Sequence, residues 1–169
     1  HYSYTADQAA ADALAKDATA TDTFTYTMSD GLASDTAQLV ITITGTNDGP
    51  VAVNDVNAVA EDATVTTTAL TGVLSNDTDV DHGTLSVTAI RTGSEGGSGT
   101  AGIVGSALVG TYGTLTVYAD GHYSYTADQA AADALAKDAT ATDTFTYTMS
   151  DGLASDTAQL VITITGTND

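Results

Sequence analysis

The chain has no cysteine, no tryptophan, one proline (Pro50) and only three basic residues, Lys16, Arg91 and Lys137, among 169. Without cysteine there is no disulfide, no thiol nucleophile and no thiolate metal site. With so few cations, 22 acidic side chains leave a net charge of −19. That charge repels nucleic acid and anionic membrane surfaces, so neither is expected as a partner. No apolar run approaches the ~20 residues of a membrane-spanning helix, so no membrane insertion is expected. Glutamate is also scarce: every acid except Glu61 and Glu95 is aspartate. A merely solvated acidic surface would use Glu freely, whereas Asp forms turns and offers a short, rigid carboxylate to a hard cation. At this charge density self-repulsion opposes the compact state unless cations neutralise it. A β-module without disulfides needs another staple, and calcium is the expected cofactor.

What is present is a repeat. Residues 1–48 and 122–169 are the same sequence letter for letter, an offset of 121 residues. A fixed period decides architecture before any motif does, and this one has the size of a whole domain. The sequence reads as the C-terminal part of one repeat module, 1–48, followed by a complete module, 49–169. The expectation is a window on a longer tandem polymer, which also explains why no signal peptide is visible. The alternative is that another molecule supplies the strands that 1–48 would need. Identical copies in series suit stalks and spacers better than enzymes.

Asp22-Thr-Phe-Thr-Tyr-Thr-Met-Ser alternates strictly, with Phe24, Tyr26 and Met28 on one face and threonines on the other. Ala37–Thr44 does the same with Leu39, Ile41 and Ile43 inward. Such period-two patterns predict half-buried antiparallel strands, and both recur within 143–165. Asp120-Gly121 joins two alternating runs in a hairpin. Strands are predicted near 51–58, 63–69, 84–91, 101–109, 113–119, 122–126, 143–149 and 158–165. So many short strands indicate an all-β, two-sheet antiparallel sandwich of immunoglobulin-like or cadherin-like type. One segment breaks the pattern: Thr5–Lys16 and its copy 126–137 are Ala-rich, with Thr5 and Gln8 at capping-box spacing, and predict within them one short helix or helical turn per module as a connector. Thr92–Thr100 reads as a flexible loop.

Two acidic constellations carry chemistry. Gly45-Thr-Asn-Asp-Gly-Pro50 ends a strand and marks the module boundary, placing Asn47 and Asp48 there. Ser75-Asn-Asp-Thr-Asp-Val-Asp-His-Gly83 sets Asp77, Asp79 and Asp81 at alternate positions of one loop. Calcium takes six to eight oxygens at about 2.3–2.6 Å, which carboxylates, Asn and backbone carbonyls can supply. An EF-hand is excluded, because no Glu follows at the twelfth position and no helices flank the loop. The plain alternative is that these residues only form turns, but three like charges in five residues, with no cation among their neighbours, repel one another.

Several runs resemble a known family. Thr-Gly-Thr-Asn-Asp-Gly-Pro (44–50), Ala-Glu-Asp-Ala (60–63), Asn-Asp-Thr-Asp-Val-Asp (76–81), the run from Gly113 to Thr126, and Asp-Thr-Phe-Thr-Tyr-Thr-Met-Ser-Asp-Gly (143–152) are together similar to the VCBS, cadherin-like repeats of giant RTX-type bacterial surface adhesins. The resemblance covers essentially the full chain. It implies calcium at the junction between successive domains. By position it implies Asn47 and Asp48 from the linker, with Asp77, Asp79, Asp81 and Asp151 from the following domain. Asp30, the copy of Asp151, would serve the preceding junction and Asp169 the next, with Asp55, Glu61 and Asp62 as further ligands. The linker lacks the additional Asp and Asn of the longer cadherin pattern.

The function expected is a structural extender of a secreted adhesin at the bacterial cell surface, reached by type I secretion. Calcium would stiffen the array, which would project a distal binding domain for adhesion and biofilm formation. Its partners would be neighbouring repeats of the same chain and other adhesin chains. The alternative is direct binding of a glycan or of a like copy. Tyr2, Tyr4, Tyr123 and Tyr125 share one strand face, which reads as core rather than platform. Catalysis is not expected: His1, His82 and His122 have no paired nucleophile in the sequence.

Overall fold

The computed structural model describes residues 1–168. The chain falls into two compact units, one of residues 1–48 with 80–82, the other of residues 49–79 with 83 onward.

The first unit holds a single helical turn, α1 (Ala9–Asp12), and one antiparallel hairpin of β1 (Thr19–Ser29) and β2 (Ser34–Thr44). The register runs from Thr19↔Thr44 to Ser29↔Ser34. The inward-patterned side chains of β1 are half exposed: Phe24 47%, Tyr26 49%, Met28 52%.

The second unit contains β3 (Asp55–Ala60), β4 (Thr64–Thr66), β5 (Ser86–Thr92), β6 (Ala101–Gly102), β7 (Leu108–Val109), β8 (Thr114–Val117), β9 (Tyr123–Thr126), α2 (Ala130–Asp133), β10 (Thr140–Ser150) and β11 (Ser155–Thr165). They form a five-stranded sheet, β3-β11-β10-β5-β6, and a four-stranded sheet, β4-β9-β8-β7. This is the all-β sandwich that the alternation predicts. β3 runs parallel to β11 and every other neighbouring pair is antiparallel. Phe145, Tyr147, Met149, Leu160, Ile162 and Ile164 from one sheet bury against Leu115, Val117, Tyr123 and Tyr125 from the other. The Tyr125 and Phe145 rings meet edge to face, with centroids 6.1 Å apart.

The same letters therefore reach two outcomes. Phe145, Tyr147 and Met149 are 2%, 2% and 0% exposed, while Phe24, Tyr26 and Met28 are not covered. The hairpin itself is local and forms in both copies. Burial of its apolar face needs β5 and the second sheet, which are remote in sequence.

Three expectations are corrected. The helical turn expected in each copy is present and four residues long, but the capping box expected at its start does not form. Thr126 remains the last residue of β9, its Oγ1 hydrogen-bonded to Thr64 Oγ1 at 2.9 Å, so it cannot cap a helix. Residues 101–109 are two short strands because the segment changes sheets: β6 pairs with β5, and β7 with β8. The loop Thr92–Thr100 is pinned rather than free. Arg91 donates to Glu95 O (2.6 Å), Thr92 N–H to Thr100 O (3.0 Å), and Gly93 N–H to Thr144 O (2.7 Å). The Asp120-Gly121 turn is present, with Gly121 at φ +85°, a conformation glycine adopts without a Cβ clash. No helix among the described residues is long and apolar enough to cross a membrane.

Urea unfolding should separate the two copies. Phe145→Ala is expected to cost about 3–5 kcal/mol, whereas Phe24→Ala, the identical change at a half-exposed site, should stay within about 0.5 kcal/mol. Equal losses would contradict the unequal burial.

Candidate metal centre

The second unit enters its sheet without a backbone ladder. Val51 bridges Thr78, and residues 52–54 are then held by side chains. Ala52 N–H donates to Asp156 Oδ2 (2.9 Å) and Val53 N–H to Asp77 Oδ1 (2.7 Å). Gln159 N–H donates to Asn54 Oδ1 (2.8 Å), and Asn76 Nδ2 reaches Val53 O at 3.2 Å. Regular pairing with β11 begins only at Asp55.

This entry end gathers oxygen atoms. The Tyr147 hydroxyl lies 2.9 Å from Val73 O, 3.2 Å from Val53 O, and 3.3 and 3.2 Å from the two carboxylate oxygens of Asp77. It has one proton for four acceptors. Asp55, on the inward face of β3, has its Oδ2 buried with no hydrogen-bond partner. Burial raises the Asp55 carboxyl to about 7, helped by the charge of Asp77 and opposed by hydrogen bonds from Tyr147 and Asn76. Burial also raises Asp77, against its bond from Val53 and with the charge of Asp156 adding. The Tyr147 phenol is pushed well above its usual range by burial and by the charges of Asp55 and Asp77. An acceptor-rich, donor-poor pocket fits a hard cation by the chemistry of its donors.

Asp79 and Asp151 approach the same loop. A Cβ on Gly83 would lie 2.7 Å from Asp79 Oδ2 and 3.1 Å from Asp151 Cβ, so any larger residue would displace the Asp79 carboxylate. Asp151 is set by its turn, with Oδ1 accepting Leu153 N–H (2.7 Å) and Ala154 N–H (2.6 Å). Asp30 makes the same turn with Leu32 and Ala33, both at 2.9 Å, and those amides lower its carboxyl.

The remaining candidates divide between the two units. Asn47, Asp48 and Asp81 belong to the first unit, where Asn47 Nδ2 donates to Asp48 O (2.9 Å). Asp30 sits at the opposite end of β2 from Asn47 and Asp48, roughly 35 Å away at ~3.4 Å per residue. Glu61 and Asp62 follow β3, at the exit end of the second unit. Glu61 is 3% exposed. Its Oε1 accepts Thr167 N–H (2.5 Å) and the Thr167 hydroxyl (2.8 Å), and its Oε2 is buried with no hydrogen-bond partner. Asp62 occupies a left-handed conformation at φ 62°. Asp169 lies outside the described residues. Among those residues, no three His, Asp or Glu side chains are arranged as a ready-made metal set. Tyr123 and Tyr125 are core residues and offer no platform for a ligand.

Sequence reasoning missed the carboxylates that organise the unit. Asp143 is buried and accepts N–H groups from Thr111 (2.8 Å), Tyr112 (2.9 Å) and Gly113 (3.0 Å), plus the Tyr125 hydroxyl (2.7 Å). Four donors leave it no need of a cation. The signal was available, since Asp143 falls on the inward parity of β10 with Phe145, Tyr147 and Met149. Its copy Asp22 accepts only the Tyr4 hydroxyl among the hydrogen bonds described. Asp156 and Asn54 had no comparable signal, because their partners are remote amides.

The pH dependence follows from Asp55. Its carboxyl is raised to about 7 in the fold, from the 3.8 of a free aspartate side chain. Between those values the folded form holds a proton that the unfolded chain has lost. Stability is therefore full below the unfolded value and falls as pH rises towards 7. In calcium-free buffer the urea midpoint should decline between about pH 4.5 and pH 7.5, and Asp55→Asn should flatten that decline. A midpoint that rises over this range would contradict the burial of Asp55.

A family model described as a bacterial cadherin-like domain matches residues 47–166. Comparison with curated proteins finds no match. Solved structures with some likeness include a variant of the endo-fucoidan hydrolase MfFcnA4 from glycoside hydrolase family 107. It shares 18% identity over 94% of this chain and 20% of that one, with a TM-score of 0.41. Another is endo-fucoidan hydrolase MfFcnA9 of the same family, at 17% identity over 85% of this chain and 22% of that one, TM-score 0.32. The chain spans about a fifth of the length of those enzymes, and at these TM-scores the likeness carries no argument about function.

Proposed function

Because the chain belongs to the bacterial cadherin-like domain family, we propose that it is an extender repeat of a secreted bacterial surface adhesin of the VCBS, RTX type. Calcium at the junctions between modules would hold them in line and so project a distal binding domain for adhesion and biofilm formation. The observation that carries this reading is that the complete unit has a buried carboxylate oxygen without a hydrogen-bond partner at each end of its β3–β11 ladder. Asp55 Oδ2 lies at the entry end and Glu61 Oε2 at the exit end. A cation at either end of that ladder would satisfy them.

On this reading Asp55, Asp77, Asp79 and Asp151 hold the ion from the entry side. Asn47, Asp48 and Asp81 contribute from the boundary segment and its loop, and Glu61 and Asp62 serve the next junction, as Asp30 serves the preceding one. When bound, calcium would supply the positive charge that three basic side chains cannot. The protein's own part is to hold its carboxylates at fixed places. The Asp151 turn does so with two amides, and Gly83 leaves room for Asp79 and Asp151 to approach. Extracellular modules bind calcium at roughly 0.1–1 mM, so the array would be stiff outside the cell and slack inside, a state suited to secretion. Its partners would be neighbouring repeats and other adhesin chains.

The test is thermal unfolding with small-angle scattering, in about 5 mM calcium and then in EDTA. Mass action at that concentration gives about 1–2 kcal/mol per ion, seen as a higher melting temperature and a longer, stiffer particle. Asp79→Ala should remove most of the increment. If neither stability nor shape responds to calcium, the extender reading fails in its calcium-dependent form.

A further inference from the structure

The first and last strands of the complete unit are neighbours and run the same way. β3 pairs in parallel with β11 through six consecutive positions, Asp55↔Leu160 to Ala60↔Thr165. The chain enters at the N-terminal end of β3 and leaves from the C-terminal end of β11, so the two points of attachment lie at opposite ends of one ladder. Tension applied through the two ends would slide β3 and β11 past each other along their common axis. In that geometry every rung is strained at once. If strands are pulled apart from the same end, rungs break one at a time and each carries the whole load.

Side-chain clasps reinforce both ends of this ladder. At entry, Asp156 holds Ala52 N–H, Asp77 holds Val53 N–H, and Asn54 holds Gln159 N–H. At exit, Glu61 N–H donates to Thr165 O (2.9 Å), and Glu61 Oε1 accepts from the Thr167 amide and hydroxyl. Beyond β11, Gly166 N–H bonds Ala139 O (2.8 Å) and Asp138 N–H bonds Gly166 O (3.0 Å), tying the departing chain to the segment before β10. The extensions that would let a sliding strand start to move are thus fixed at both ends. In the first unit β2, the copy of β11, pairs only with β1.

We infer that the β3–β11 pair, with its Asp156, Asp77, Asn54 and Glu61 clasps, is a shear clamp through which the module bears tensile load between its neighbours. The inference rests on the extender reading for its biological setting, but all its bonds lie within one unit.

Single-molecule force spectroscopy on the full chain tests it, using thiol handles that the cysteine-free sequence leaves unambiguous. A handle at Val51→Cys with a C-terminal tag loads the pair in shear. Handles at Val51→Cys and Leu153→Cys, both at the entry end, unzip the same pair. The expected rupture force is several-fold higher in shear, and Asn54→Ala should lower the shear force. Equal forces in the two geometries would overturn the clamp. Repeating both pulls in EDTA separates the two ideas: loss of junction calcium should leave the shear-to-unzip ratio standing, and a ratio that collapses to one without calcium would overturn the claim that the clamp is intrinsic to the module.

Discussion

A carboxylate removed from water needs hydrogen-bond donors or a cation, and this chain has almost no basic side chains to provide the latter. That constraint organises the structure. Asp143 is satisfied by three amides and a phenol, and in being so it folds the 110–113 loop over the edge of the sandwich. Asp77 and Asp156 are turned to use as substitutes for a backbone ladder, holding residues 52 and 53 where no strand partner exists. Asp55 and Glu61 each keep one buried oxygen without a donor. The carboxylates with enough donors build the fold, and these two flank the β3–β11 ladder.

That division has an energetic consequence. In an ordinary domain a buried acid is balanced by Arg or Lys and its folding is insensitive to what the solvent contains. Here burial raises Asp55 and Asp77 towards the protonated form, so neutral pH works against the fold at its entry end. A hard divalent ion would reverse that effect. The coupling between surroundings and stability thus arises from composition, a scarcity of cations, acting through tertiary position.

The repeated half is an internal control for how much of the structure is local. In both copies the 11-residue strands pair in the same register, and Asp30 and Asp151 make the same turn. Strand alternation and turn chemistry suffice for that. In only one copy do the aromatic side chains become core, because covering them takes β5 and the four-stranded sheet. Likewise Asp143 gains four donors where Asp22 shows one, since the loop that supplies three of them lies in the unrepeated part of the module.

The sequence by itself determined the all-β class, the repeated alternating strands, the Asp120-Gly121 turn and the acid-rich loop at 75–83, because each depends on neighbours within a few residues, and the module period, because the two copies are identical. The candidate site was legible only in part: Asp77, Asp79 and Asp151 could be named from spacing and resemblance, but not that Asp77 is spent on Val53, nor that Gly83 packs against both Asp79 and Asp151. The tertiary structure decided the parallel pairing of β3 with β11, the crossing of residues 101–109 between sheets, the absence of the capping box, and which carboxylates are satisfied. Those outcomes depend on groups up to about a hundred residues away, whose amides carry no mark in the sequence of the acid they will meet.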